Sequence, residues 1–327
     1  MVCLCGRIIS KHIALLLGED SGTLSYDKWE HFPVARLYND IYAYITFRSM
    51  IISLRRPDAN PAIQLFRSKF AGFLGDVTIY TDEDEKLADF LTAEGVLLRP
   101  DVDTRLYRVA SPLVDGLIRT RVIPVQFPNA PSTPPPFRNN KTALYVLDAL
   151  IESLKVFDKD LIRLACSRSY KSSSVKVGGL SQVPLPRESV YDTELMQILS
   201  NWLLLHDWTV TGQWHLQTTH GKHKYTDIVL QKDQHPPIVL ELLATGDRSF
   251  VRSHIGYKAL LSADEAWIVH FTCEDDYHPV WQSDAELDEG VNVVHFSHDL
   301  EFTRVWMNAR WKNEAGILQE DSRELDI

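Results

Sequence analysis

From Glu188 to the C-terminus the spacing of apolar residues changes period several times, and each change predicts a new element. "ESVYDTELMQILSNWLLLH" (188–206) carries its apolar residues at helical spacing, whereas "WTVTGQWHLQT" and "YTDIVLQ" read as strands, the second apolar on both faces apart from Asp227. "PIVLELLA" (237–244) is a continuous apolar run, short enough for a strand buried on both faces. A helix over "SFVRSHIGYKALLSA", strands over "EAWIVHFTC" and "VNVVHFSH", and a last helix over "LEFTRVWMNARW" complete the series. The order α-β-β-β-α-β with an extra strand predicts an α/β (α+β) domain, a mixed sheet flanked by helices.

Upstream the pattern is more helical. An acidic start at "TDEDE" leads into Leu87, Phe90 and Leu91 at helical spacing, and Gly95 stops the run. Two short strands follow, "VLLR" and "RLYRV", and Ser111 before Pro112 caps the next helix. Helix, hairpin and helix in that compass predict a winged helix inside an N-terminal, mostly helical domain. Arg105 and Arg108, with Arg119 and Arg121, give it a modest basic face for nucleic acid; a packing or lid module is the competing reading.

The five prolines of "VQFPNAPSTPPPFRNN" (125–140) read as a semi-extended connector, and the Ser, Gly and Pro-rich stretch 167–189 as a long loop. The expected division is therefore a helical and winged-helix domain over 1–124, a linker with one helix and a loop over 125–187, a sheet domain over 188–312 and an acidic tail over 313–327.

Charge changes this picture only locally. The net charge of −10 argues against a generic nucleic-acid coat, but residues 264–327 alone carry 16 acidic against 4 basic side chains, and 138–187 carries 9 basic against 4 acidic. Cys3, Cys5, Cys166 and Cys273 are too scattered for a disulfide framework, which fits a reducing, intracellular setting. No apolar run reaches the roughly 18 residues of a membrane span, and no secretion signal is evident, so no membrane partner is expected.

Two acids interrupt the apolar strands. If "YTDIVLQ" and "PIVLELLA" pair as a hairpin about Lys232 to Pro236, Asp227 faces Glu241. Like charges opposed on neighbouring strands repel, and buried carboxylates cost several kcal/mol unless compensated. A divalent ion between them removes both penalties, and hard oxygen ligands suit Mg²⁺ or Mn²⁺. Glu194, bordering the buried stripe of the preceding helix, is a candidate third acid or a solvated flank residue. Lys222 and Lys224, beside His220 and His223, suggest a phosphate-facing loop. His270, His295 and His298 follow strand patterns and read as sheet residues.

The helix with Glu194, "TD" with Asp227 and "LELLATGD" with Glu241 resemble the PD-(D/E)XK nuclease superfamily, whose restriction-endonuclease-like fold is αβββαβ. Over roughly 185–310 the chain is similar to the C-terminal domain of Crinkler-type effectors of fungi and oomycetes, and "LYRVASPLVDGLIRTRVIP" resembles the winged-helix tail of the NTPase that precedes it there. The resemblance implies metal-dependent phosphodiester hydrolysis, DNA as substrate with RNA as the alternative, a host or NTPase protein partner, and nuclear residence. Two departures stand out. No GxxxxGK[ST] loop occurs, so no NTPase activity is expected, and the superfamily lysine position is Leu243. Lys258 or His254, four apart on the next helix, is the expected substitute, with Arg248 and Arg252 near its start as phosphate contacts. A nuclease-fold effector without turnover that binds nucleic acid or a partner, and an interaction module docked through the winged helix, are the competing functions.

Overall fold

The computed structural model describes residues 41–101, 103–138, 143–168, 175–217, 223–232, 235–244, 263 and 265–327. The first core gathers helices α1 (Ile45–Leu54) and α2 (Asn60–Lys69), strand β1 (Val77–Thr78), helix α3 (Asp82–Ala93), strands β2 (Leu97–Leu98) and β3 (Leu106–Val109), helix α4 (Pro112–Arg121) and the short α5 (Ile123–Gln126). Both predicted helix starts are realised, the first with a threonine cap. The Thr81 hydroxyl accepts from the Asp84 N–H at 3.1 Å, and four acidic residues fill the first turn of α3, where the helix dipole favours them. Ser111 accepts from the Val114 N–H at 3.2 Å, with Pro112 at the first helical position of α4. The three strands form a small antiparallel sheet in the order β1-β3-β2, and Ile51, Ile63, Phe66, Leu91, Tyr107 and Leu117 close the core without measurable exposure.

The second core is built on helices α6 (Val146–Leu154), α7 (Lys159–Arg168) and α8 (Glu188–Leu203). Strands β4 (Trp208–Gln217), β5 (His223–Lys232), β6 (Ile238–Ala244) and β7 (Glu265–Thr272) follow, then helix α9 (Asp284–Asp288) and strands β8 (Val291–His298), β9 (Val305–Lys312) and β10 (Leu318–Leu325). The seven strands run in the order β10-β9-β8-β7-β6-β5-β4, with β6, β7 and β8 parallel and the remaining pairs antiparallel. Ile228, Leu230, Leu240 and Leu242 pack with the helices, while Leu243, Ile268, Val291 and Val293 form a separate apolar cluster. The parallel centre is thus apolar on both sides, as its unbroken sequence pattern requires.

Three expectations are corrected. The stretch expected as a last helix forms β9, whose Val305, Met307 and Ala309 alternate inward. The expected acidic tail forms β10 at the sheet edge, joined to β9 by a turn at Asn313–Gly316, where Gly316 takes φ +71°. Its acids suit an edge strand: Glu320 pairs with Arg310 at 3.2 Å and Glu324 with Arg304 at 2.9 Å across the ladder. The stretch 125–187 is no free connector. Leu147, Leu150 and Leu161 are buried in the second core, and α8 pins the proline-rich strap through Gln197 Nε2 donating to the Phe127 carbonyl at 2.6 Å and Trp202 Nε1 to the Thr133 carbonyl at 2.8 Å. No helix among the described residues is long and apolar enough to cross a membrane.

The two cores meet along α8. Gly72 (φ +68°) lies against its first turn, where an added Cβ would stand 2.7 Å from Ser189 Cβ. Only glycine suits both the backbone conformation and the approach.

Candidate functional site: an acidic centre at the β5–β6 fork

β5 and β6 pair in the register Ile228↔Leu240, Val229↔Val239 and Leu230↔Ile238, the register deduced from sequence. The ladder ends there. One step on, the Asp227 Oδ2 oxygen accepts from the Leu242 backbone N–H at 2.7 Å, so the Asp227 carboxylate lies on the β6 backbone beside Glu241. Glu241 is 2% exposed and neighbours Ile268 of β7.

The helix acids that approach this fork are not the one expected. Glu194 is fully buried, but its carboxylate pairs with Arg67 of α2 and accepts from the Asp158 N–H at 3.1 Å. It joins the two cores and is held away from the fork. The approach is made by Glu188 and Asp192, four apart on α8. Burial foremost, then the Asp192 and Glu188 charges, push the Asp227 carboxyl well above the ordinary carboxylate range, against the opposing pull of the Leu242 N–H and Arg119. Asp192 is itself raised by burial, with Arg119 of α4 as its counter-ion. Asp115 stands 3.8 Å from the same guanidinium and accepts from the Gly72 N–H at 3.0 Å. The sequence signal for Glu188, Asp192 and Arg119 was present but ambiguous: a 16-residue helix with twelve buried residues buries several faces at once.

The basic candidates separate. Arg105 is engaged by Asp82 at 2.5 Å and Glu85 at 3.0 Å, while Arg108 is exposed on β3. Lys224 lies in β5 opposite Leu216. Lys222, Arg248, Arg252, His254 and Lys258 lie outside the described residues. Leu243, at the expected lysine position, is 7% exposed and packs with Ile268, Val291 and Val293.

A divalent ion suits the chemistry of this centre in two respects. The Asp192 Oδ1 atom is buried without a hydrogen-bond partner among the described residues, and Asp227 carries the field of two neighbouring carboxylates. Among the described residues no three His, Cys, Asp or Glu side chains converge as a ready metal cage. Mg²⁺ does not require one, since it retains several waters and is commonly held by one or two carboxylates.

No family model matches the sequence, and no curated protein matches it. Among solved structures there is a likeness to Can2 from Sulfobacillus thermosulfidooxidans in complex with cyclic tetra-adenylate, at 8% identity and a TM-score of 0.23. It covers 79% of this chain and 55% of that one, so the chain spans about half the length of Can2. A likeness of that size assigns neither fold family nor activity.

Proposed function

We propose that the chain is a divalent-metal-dependent nuclease of the PD-(D/E)XK type, acting on DNA as a Crinkler-like effector, with its first core a winged-helix remnant of an NTPase. The observation that carries this reading is the Asp227 carboxylate, seated on β6 beside Glu241 with its charge opposed by Asp192 and Glu188. Asp227 and Glu241 would hold Mg²⁺ or Mn²⁺, and the bound ion would supply an activated water and neutralise charge on the phosphodiester. The Leu242 N–H holds one Asp227 oxygen, which orients the carboxylate on β6. Arg119, from the other core, holds Asp192 and offsets part of the acidic field. Lys258 or His254 remains the proposed replacement for the superfamily lysine.

One observation favours a second reading, a nuclease fold that binds nucleic acid or a partner without turnover. Leu243 is sealed in an apolar cluster, where it can neither orient water nor meet a phosphate. Cleavage of supercoiled plasmid in Mg²⁺ or Mn²⁺ separates the two. Nicking by the wild type that disappears in both Asp227→Ala and Glu241→Ala supports the enzyme, and DNA retention without nicking in either metal supports the second reading.

A further inference from the structure

Three side chains on strands β7 and β8 and the loop after β7, none of them in the acidic centre, meet at one point. His270 and His295 are direct register partners on the parallel strands, so both rings leave the same face of the sheet. After β7 the backbone turns through Asp276 at φ +50°, and Tyr277 then reaches both rings. The Tyr277 hydroxyl lies 3.1 Å from His270 Nδ1 and 3.0 Å from His295 Nδ1, and the two Nδ1 atoms are 3.1 Å apart. The three atoms form a nearly equilateral triangle.

Hydrogen bonding accounts for only part of it. His295 Nε2 lies 2.9 Å from the Val280 carbonyl, which can only accept, so Nε2 carries the ring proton and Nδ1 presents a lone pair. That single in-plane lone pair is approached by two groups at once. Only the His270 ring and the Tyr277 hydroxyl can supply protons to the triangle, so two protons serve three contacts. A cation over the triangle satisfies all three. Donor atoms about 3 Å apart are the spacing that three ligands adopt around an ion at about 2.1 Å, with angles near those of one face of an octahedron. The surroundings match a metal centre as well. The other nitrogen of His295 is fixed by a backbone carbonyl, the usual way a ligating imidazole is oriented. The Trp281 ring stands edge-on to His295 with centroids 5.1 Å apart.

We propose that His270, Tyr277 and His295 form a facial three-ligand site for a divalent first-row transition ion, distinct in its ligands from the acidic centre. Two imidazoles and a phenol oxygen favour such an ion over Mg²⁺. Because the phenol loses its proton on binding, affinity rises with pH.

The test uses the full chain, stripped with chelator, dialysed and titrated with Co²⁺ under absorbance detection, followed by Zn²⁺ competition and elemental analysis. The expected result is ligand-field bands that saturate at one equivalent of tightly held Co²⁺ and that Zn²⁺ abolishes, apart from any Co²⁺ taken up by the carboxylates of the acidic centre. Tyr277→Phe keeps the ring and removes the oxygen, and it should weaken binding by at least about tenfold while the circular dichroism spectrum is retained. His270→Ala should abolish the bands; if that variant does not fold, Tyr277→Phe decides alone. Asp227→Ala removes Co²⁺ held at the acidic centre and should leave the Zn²⁺-displaceable bands unchanged. Absence of Zn²⁺-displaceable bands in the wild type at millimolar Co²⁺, unaltered bands and affinity in Tyr277→Phe, or loss of the bands in Asp227→Ala would each overturn the proposal.

Discussion

The Arg119 guanidinium of α4 crosses from the first core to the Asp192 carboxylate of α8, and both groups are buried. The cation that offsets the acidic field around Asp227 therefore comes from the N-terminal unit, which makes that unit part of the centre. Removing one member of a buried ion pair strands the other charge, at a cost of about 3–5 kcal/mol. Arg119→Met should lose stability of that order in urea unfolding, and adding Asp192→Asn should restore most of it. A single substitution that costs less than a surface pair would remove Arg119 from this role.

Glu194 supplies the second tie between the cores, and its chemistry is structural. Its carboxylate is shared between Arg67 and the Asp158 N–H, and Arg67 also reaches Asp158 at 3.4 Å and lies over the Phe127 ring at 3.9 Å. Glu194→Ala should destabilise by about 3 kcal/mol or more, while folded Glu194→Gln should cleave DNA as the wild type does. Selective loss of cleavage in Glu194→Gln, with stability unchanged, would return this residue to the catalytic set.

The contrast between Glu194 and Asp227 shows what could be read before any coordinates. Strands are legible because period two fixes which residues share a face, and a two-sided hairpin has one register that buries both apolar sets; hence Ile228↔Leu240 followed from the sequence alone. The helix was located correctly but not its azimuth. Tyr191, Asp192, Thr193 and Glu194 are all buried, because α8 is covered by the sheet and by the first core together, and no single apolar stripe identifies the side facing β5. β9 carried a period-two signal in Val305, Met307 and Ala309, but its aromatic and basic residues also fit a helix. β10 was hidden by its acids, which are an edge strand's solvent-facing residues and look the same in sequence as a solvated tail. The meeting of His270, Tyr277 and His295 depends on a turn at Asp276 and was illegible for that reason.

The stability contributed by neutral His295 and His298 should be lost as pH drops from about 6.5 to about 4. His295 and His298 are both held neutral by burial, with pKa values lowered to about 4. His298 is enclosed by the Tyr191 hydroxyl at 2.8 Å, the Cys273 thiol at 3.5 Å and the Asp299 carbonyl at 2.7 Å, and the Asp299 carboxylate is its nearest charge. Across that window the unfolded chain binds more protons at these positions than the native one, so the native state loses up to about 3 kcal/mol per ring. The buried acids Asp115, Asp192, Glu194 and Asp227, all raised, work in the opposite direction. His298→Gln isolates one ring: going from pH 7 to 5, its urea midpoint should shift upward relative to the wild type's, because the variant lacks the loss that protonating His298 imposes. Equal slopes would contradict a neutral, buried His298.

Asp227→Asn should move stability and activity in opposite directions. Burial and two neighbouring carboxylates disfavour the Asp227 anion, whereas an asparagine keeps an oxygen for the Leu242 N–H and carries no charge. In the absence of divalent ions the variant should melt a few degrees above the wild type. Added Mg²⁺ should then raise the wild-type melting temperature by mass action and leave the variant unmoved, because the ion binds the native acidic centre and not the unfolded chain. Plasmid nicking should be lost in the same variant. A substitution that stabilises the fold while abolishing turnover is the signature of a side chain kept for chemistry at the expense of packing. A wild-type melting curve indifferent to Mg²⁺ and Mn²⁺, together with an Asp227→Asn variant no more stable than its parent, would mean that the acids at the β5–β6 fork are satisfied within the protein and hold no ion.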